Sequence, residues 1–325
     1  MYRLTSDVTI GNTHVKPTEV SWKSGVSSLT DTCTIKLARR RYIKDCQSTS
    51  YAAAADKFRI GDAVTVKLGY NGANVTRFEG FVERIIAGNP LTLECTGWAY
   101  KLRDIYFTRS YKATTLHAIL TDLVAGSGIV ISPKVPHVAL KNVTFKDAPA
   151  QKVLEWVQKE LLCVTSFYGN VLYAGILKYG VAGKKVALSL GWNTVSDDLK
   201  KIIMPLTKKV EIRFKSKNGS VKSYGNEMHK YDNIKSFNVR AGLDATYINA
   251  LRAELEKREF VSGNQGGVTA FLEPAFAKGD TVQIIDKRYR VRAGLYFVDA
   301  VDGSYGVSGG RQKLTLKWMG DGANN

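Results

Sequence analysis

Residues 58–97 read FRIGDAVTVKLGYNGANVTRFEGFVERIIAGNPLTLECTG; residues 276–303 and 312–320 read FAKGDTVQIIDKRYRVRAGLYFVDAVDG and QKLTLKWMG. The two stretches share three elements in one order. Gly61-Asp62-Ala63-Val64-Thr65-Val66 corresponds to Gly279-Asp280-Thr281-Val282-Gln283-Ile284, and Phe81-Val82-Glu83 corresponds to Phe297-Val298-Asp299. Leu91-Thr92-Leu93 and Gly97 correspond to Leu314-Thr315-Leu316 and Gly320. Gly61 and Phe81 stand 20 residues apart, Gly279 and Phe297 18. The next spacing is looser, 10 against 17, and the excess falls in GSYGVSGGRQ, a loop by composition. Glycine permits positive φ, and aspartate can accept from backbone N–H groups at a turn, so Gly-Asp suits the entry to a strand. Chance likeness among Gly-Asp turns is the competing reading. The order and spacing favour a duplicated β domain, a device of assembly more than of chemistry.

Outward from this echo, residues 1–105 are β-rich. DTCTIKLARR places Cys33, Ile35 and Leu37 on one face; GDAVTVKLGYNG alternates Val64, Val66 and Leu68 before an Asn71-Gly72 turn. YAAAADKF (51–58) reads as a helical turn or loop. The pattern predicts a small antiparallel barrel or sandwich.

Residues 106–190 change character. Leu116, Ile119, Leu120 and Leu123 have helical spacing ahead of Gly126. A second helix carries Val153, Val157 and Leu161, with Asp147 as expected cap and Pro149 in its first turn. A hairpin about Gly169-Asn170 follows. This predicts a peripheral α+β module.

Residues 191–325 return to strands, beginning with a hairpin across Asn218-Gly219. One long helix, about 244–260, is capped by Asp244, with Leu243 stapled to Ile248 and Leu251 and Leu255 facing a core. SGNQGG (262–267) reads as a connection into the closing strands. The fold class expected is mainly β with an α+β insert: two similar small barrels plus a helix–hairpin module.

Composition fits a folded chain: 44% hydrophobic residues and a mean hydropathy of −0.16 over 325 residues. No apolar run approaches the roughly 20 residues that span a bilayer, and no secretory signal is evident at the N-terminus. The net charge of +18 divides into +5, +6 and +7 over residues 1–105, 106–190 and 191–325. Small clusters occur at Arg39-Arg40-Arg41, Lys200-Lys201, Lys208-Lys209 and Lys287-Arg288-Tyr289-Arg290. A distributed excess attracts polyanions without specificity or complements an acidic protein partner.

No catalytic, cofactor-binding or metal site is expected. There is no Gly-x-Ser-x-Gly elbow, no His-Glu-x-x-His and no phosphate loop. His14, His117, His137 and His229 lie far apart. Cys33, Cys46, Cys95 and Cys163 are too few and scattered for a disulfide framework or zinc site, and read as thiols of a reducing compartment. Gly126-Ser127-Gly128 reads as a helix terminator. Lys287, Tyr289 and Val291 read as one face of a strand opposite Arg288 and Arg290; a single-stranded nucleic-acid platform is the rival.

GDAVTVKLGY, FEGFVERI, LTLECTG, the module VLEWVQKELLCVTSFYGNVLYAG, and then GGVTAFLEPAFAKGDTVQI, AGLYFVDAV and LTLKWMG occur in this order. From about Val8 to Gly320 the chain resembles the baseplate or tail hub proteins of contractile-tailed phages, the late control protein D group. The same fold forms the trimeric base of the valine–glycine-repeat spike proteins of type VI secretion. The resemblance implies a non-enzymatic homotrimer with two barrel "tube" domains per chain, six barrels around a channel. It implies docking on a six-fold tail tube or its initiator, on a three-fold spike and on other baseplate proteins, with genomic DNA only in transit. The location implied is the virion tail, after assembly in the host cytoplasm. The sequence ends soon after the second β segment, so the spike is expected on a separate chain. Two alternatives stand beside this: a nucleic-acid-binding barrel protein, and the equivalent hub of a bacterial injection system.

Overall fold

The computed structural model describes residues 3–38, 40–44, 49–53, 57–176, 183–203, 208–215, 221–224, 233–240, 242–259 and 262–320. Arg39, Cys46, His229 and the Asn218-Gly219 turn lie outside the described residues. The chain forms two compact units: residues 1–100, 183–199 and 265–325, and residues 101–182 and 200–264.

The first unit opens with β1 (Leu4–Ile10), β2 (Thr13–Val15), β3 (Glu19–Gly25) and β4 (Thr32–Leu37). A hairpin of β5 (Arg40–Lys44) and β6 (Thr49–Ala53) follows, then β7 (Ala63–Tyr70), β8 (Ala73–Ile86) and β9 (Leu91–Thr96). Tyr51, Ala52 and Ala53 therefore pair in a strand and not in a helical turn. β7 turns into β8 through Asn71 (φ 53°) and Gly72 (φ 87°), the two left-handed residues a tight hairpin needs. Val64, Val66 and Leu68 are buried together with Ile35, Leu37 and Leu93 in one core.

The second unit contains β10 (Tyr106–Thr115), α1 (Leu116–Val124), β11 (Val130–Ile131), β12 (Ala139–Pro149), α2 (Ala150–Leu161), β13 (Val164–Tyr168) and β14 (Val171–Gly175). Both helices bury the expected stripes. Asp147 does not cap α2; it sits in β12 at φ 47°, and Pro149 takes the cap position without a side-chain bond. α2 ends at Leu162, left-handed at φ 52°.

Two strands of the first unit come next, β15 (Lys185–Ser189) and β16 (Thr194–Asp197). They are followed by β17 (Lys200–Ile202), β18 (Lys208–Lys215), β19 (Val221–Tyr224), β20 (Asn233–Val239) and α3 (Ala245–Glu259). Asp244 caps α3 as expected, its Oδ1 accepting from Tyr247 N–H at 2.7 Å. α3 packs within the second unit: Tyr247 donates its hydroxyl proton to Leu161 C=O at 2.7 Å, and Arg240 N–H donates to Glu160 C=O at 2.9 Å. Hence residues 200–264 join the helix–hairpin module in one unit, where a division at 190 would place them with the closing strands.

The chain closes with β21 (Gly263–Phe271), β22 (Thr281–Ile285), β23 (Gly294–Gly306) and β24 (Gly309–Gly320). The Gly-rich run 263–267 is thus strand and not connection. In the first unit one long sheet runs β16-β21-β24-β23-β3-β4-β9-β8-β7-β1-β2, with β22 on β23 and β15 on β22. A second core lies under its other end, holding Leu188, Val268, Val282, Val298, Leu314 and Leu316.

Two outcomes are expected from this framework. Cys33, Cys95 and Cys163 are buried free thiols, and burial raises Cys95 to about 12 and Cys163 to about 11. In a Cys46→Ser chain at pH 8, a thiol-reactive dye should label them only upon unfolding; rapid labelling of the folded chain would contradict this burial. Gly61 and Gly279 hold φ +92° and +89°. Gly279→Ala should cost about 1–2 kcal/mol, read as a lowered urea midpoint.

Candidate assembly site at the junction of two equivalent β halves

The Gly-Asp corners are built alike, bond for bond. Gly61 N–H donates to Val82 C=O at 2.8 Å, and Gly279 N–H to Val298 C=O at 2.9 Å. Val82 N–H returns to Asp62 C=O at 2.9 Å, as Val298 N–H does to Asp280 C=O at 2.9 Å. Each aspartate closes its own turn: Asp62 Oδ2 accepts from Arg59 N–H at 2.8 Å, and Asp280 Oδ2 from Ala277 N–H at 2.8 Å. Asp280 uses its other oxygen for Lys184 N–H, 2.8 Å, at the start of β15.

The strands beyond repeat this correspondence. Ala63 pairs with Phe81 as Thr281 pairs with Phe297. The register of β8 on β9 shifts between Val82 and Arg84, and that of β23 on β24 between Val298 and Ala300. The residues left over at the two bulges are Glu83 and Asp299. Glu83 accepts from the Thr96 hydroxyl, and Asp299 pairs with Lys317 at 2.9 Å. Thr96 and Lys317 are themselves equivalent, opposite Phe81 and Phe297.

Strand order completes the match. β3-β4-β9-β8-β7-β1 in the first half answers β16-β21-β24-β23-β22-β15 in the second. One polarity differs: β1 runs antiparallel to β7, whereas β15 runs parallel to β22. The sequence alignment of the last element needs correction. Val82 faces Cys95 and Val298 faces Leu316, so Leu93-Glu94-Cys95, not Leu91-Thr92-Leu93, is the counterpart of Leu314-Thr315-Leu316. A slip of two leaves every side chain on its own face, which is why the apolar pattern concealed it.

The halves meet where β3 runs beside the second part of β23, from Gly25 opposite Ala300 to Val20 opposite Tyr305. Trp22 lies across from Gly303, buried at 3% exposure, and a Cβ on Gly303 would stand 1.9 Å from its ring. Polar bonds tie the same junction. The Arg77 guanidinium donates to Leu272 C=O at 2.6 Å and pairs with Glu273 at 3.4 Å. Burial pulls Arg77 below its ordinary value, opposed by the charge of Glu273. Lys278 Nζ reaches Asp31 at 2.7 Å. Gln312, fully buried, accepts from the Arg77 guanidinium at 3.5 Å across the junction and donates to Phe271 and Pro274 C=O at 2.7 and 2.6 Å within its own half.

The histidines, cysteines and basic cluster do not converge on one site. His14, beside Asp7 at 3.4 Å, His117 and His137 are exposed and apart, and among the described residues no cluster of His, Cys, Asp or Glu is placed to hold a metal. Cys33 and Cys95 do come together, opposite each other across β4 and β9, as buried free thiols. Sequence spacing did not show that. Lys287-Arg288-Tyr289-Arg290 is not a strand. Asp286 Oδ1 accepts from the Arg288 and Tyr289 N–H groups at 2.9 and 2.8 Å, and a short 3-10 turn follows at Arg290–Arg292. Burial works to raise the Asp286 carboxyl, but these bonds and Arg292 outweigh it and hold it below its usual range. The exposed Trp192, between β15 and β16, gave no sequence signal. It is 86% exposed beside a groove of about 570 Å³ lined by Leu4, Tyr70, Phe271 and Arg311.

The sequence matches no known family profile and no curated protein. Solved structures do match in fold. A tail protein from Neisseria meningitidis MC58 aligns over 99% of both chains with a TM-score of 0.66 at 14% identity. The 43 kDa tail protein of prophage MuSo2 from Shewanella oneidensis aligns over 96% of this chain and 97% of its own, TM-score 0.62, at 13% identity. A type VI secretion component of E. coli, described as structurally similar to T4 tail proteins, aligns over 98% of this chain and 77% of its own, TM-score 0.59, at 10% identity. The chain has the fold shared by these tail and secretion-system proteins, as the sequence resemblance implied.

The junction yields a direct expectation. Gly303→Ala should destabilise the chain by about 1–3 kcal/mol through overpacking against Trp22. Gly306→Ala, whose Cβ would find its nearest atom at 3.4 Å, should cost far less.

Proposed function

We propose that this chain is a structural, non-enzymatic tail hub. Three copies form a pseudo-hexameric ring that fits a six-fold tail tube, or its initiator, on one face and a three-fold spike on the other. The ring lies in the virion tail, among other baseplate proteins, and encloses part of the passage for ejected DNA. One observation carries the reading: a chain with the fold of tail proteins contains two β halves that share their strand order, a bulge just after Phe-Val and a Gly-Asp corner. Duplication of that kind lets an object with three chains present six similar surfaces.

The charge spread along the chain suits this role, since it favours acidic protein partners over a single polyanion groove. The likeness to a type VI secretion component supports a second reading, a hub of a bacterial injection system. That reading keeps the same ring and changes only its setting.

Native mass measurement of the purified chain tests the proposal. The expected species is a trimer of the 35.9 kDa chain that persists at high salt. A monomer at all concentrations, or a dimer, would overturn it. Neighbouring genes would separate a phage tail from a secretion system.

A further inference from the structure

Beyond their Gly-Asp corners the two halves close their hairpins differently. β7 stays paired with β8 out to Tyr70 opposite Ala73, and turns through Asn71-Gly72. β22 leaves β23 after Ile284 opposite Gly294, and residues 286–293 form a loop where the first half has a tight turn. Tyr70–Ala73 carries no charged side chain; Arg3 is held beside it, its N–H donating to Asn71 Oδ1 at 2.8 Å. The loop of the second half carries Lys287, Arg288 and Arg290, all exposed, and among the described residues none of them forms an ion pair.

This loop is held from beneath. Asp286, buried at 5% exposure, accepts from the Arg288 and Tyr289 N–H groups through Oδ1 and from Arg292 Nε through Oδ2 at 2.8 Å. Arg292 also pairs with Asp197 at the end of β16, and the Tyr296 hydroxyl donates to Arg292 C=O at 2.7 Å. Arg292 thus engages both carboxylates, and the three outward cations stay uncompensated in a fixed arrangement. A preordered surface loses little conformational entropy on docking. Tyr289 and Val291 stand exposed among the cations. Leu190 N–H donates to Ile285 C=O at 2.9 Å, so the turn that carries the exposed Trp192 leaves from the same end of the sheet. Tryptophan, tyrosine and arginine are the residues that most often dominate the energy of protein interfaces.

We infer that residues 287–291 dock an acidic protein surface that repeats three times about one axis. The inference rests on the hub reading and deepens it. In a ring of three chains the basic loop occurs once per chain and alternates with the uncharged turn, so this end presents a three-fold charge pattern on a nearly six-fold frame. A six-fold partner would meet the loop at every second position only, whereas a three-fold partner meets it at all of its positions. The end of the first unit that bears the loop therefore faces the spike. Guanidinium groups pair bidentately with carboxylates, which gives the contact direction as well as charge. Nucleic acid fits less well. The Arg292 and Arg288 guanidinium groups lie 5.0 and 5.8 Å from the Tyr289 ring centre and compete for the face on which a base would stack. A strand-binding groove also needs cations spaced along a path, not gathered in consecutive residues.

A Glu-rich peptide, used free and on flexible arms from a three-stranded coiled coil, tests the loop against the full-length trimer at low salt. The trivalent form should bind about tenfold or more tightly than the free peptide. Lys287→Glu with Arg288→Glu and Arg290→Glu should abolish that binding and leave the trimer and its unfolding midpoint unchanged, since these side chains are exposed. Arg288→Ala with Arg290→Ala, which adds no repulsion, should weaken binding in the same direction. A charge-matched chain with Lys16→Glu, Lys23→Glu and Lys185→Glu, altered at exposed sites elsewhere in the first unit, should keep most of it. Equal losses in the loop variant and the charge-matched chain would reduce the effect to net charge and overturn the inference. A trimer by native mass that gains nothing from the trivalent form would overturn it too, and leave the hub reading intact. Absence of any trimer would overturn the hub reading, and the inference with it. A thymidine oligonucleotide bound more tightly than the trivalent peptide, and lost in the loop variant, would assign the surface to nucleic acid and overturn the inference.

Discussion

Strand β23 is longer than the neighbour that covers its first part. β22 pairs with it only as far as Phe297, and the remaining residues would leave backbone donors and acceptors open. β3 fills that space, residue by residue, and so makes one sheet of two halves. The overhang itself starts at a bulge, where Asp299 drops out of register and the strand turns past its partner. Everything larger in the first unit follows from this constraint. Two cores remain separate beneath the sheet, and the junction between them is locked by Trp22 on Gly303 and by the buried Arg77, Lys278 and Gln312 contacts.

The same constraint operates at β8, which outruns β7 after its own bulge at Glu83. There Arg84–Ile86 pair with β9 on one side, and among the described residues no strand of the first unit pairs with them on the other.

Much of this was legible in the sequence because the corners depend on local chemistry. Gly61 and Gly279 must hold positive φ, and Asp62 and Asp280 close their turns from fixed offsets, so both motifs survive as short identical strings. The helix stripes at Leu116–Leu123 and Val153–Leu161 were legible for the same reason, since burial follows a fixed period. Long-range facts were not. Nothing local says that α3 packs near Leu161 and Cys163, or that β15 runs parallel where β1 runs antiparallel. Composition misled at SGNQGG: its glycines belong to a strand, where Gly266 and Gly267 leave room for Asp198 close by. It misled again at Lys287–Arg290, where Asp286 gathers the N–H groups into a turn. The junction of the two halves had no motif at all, because it pairs β3 with β23 across most of the length of the chain.

Electron cryomicroscopy of the purified assembly tests the central claim most directly. Three chains should enclose one axis as six similar β lobes, alternating around a ring whose true symmetry is only three-fold. A particle with three lobes around the axis, the other β half lying elsewhere, would contradict it.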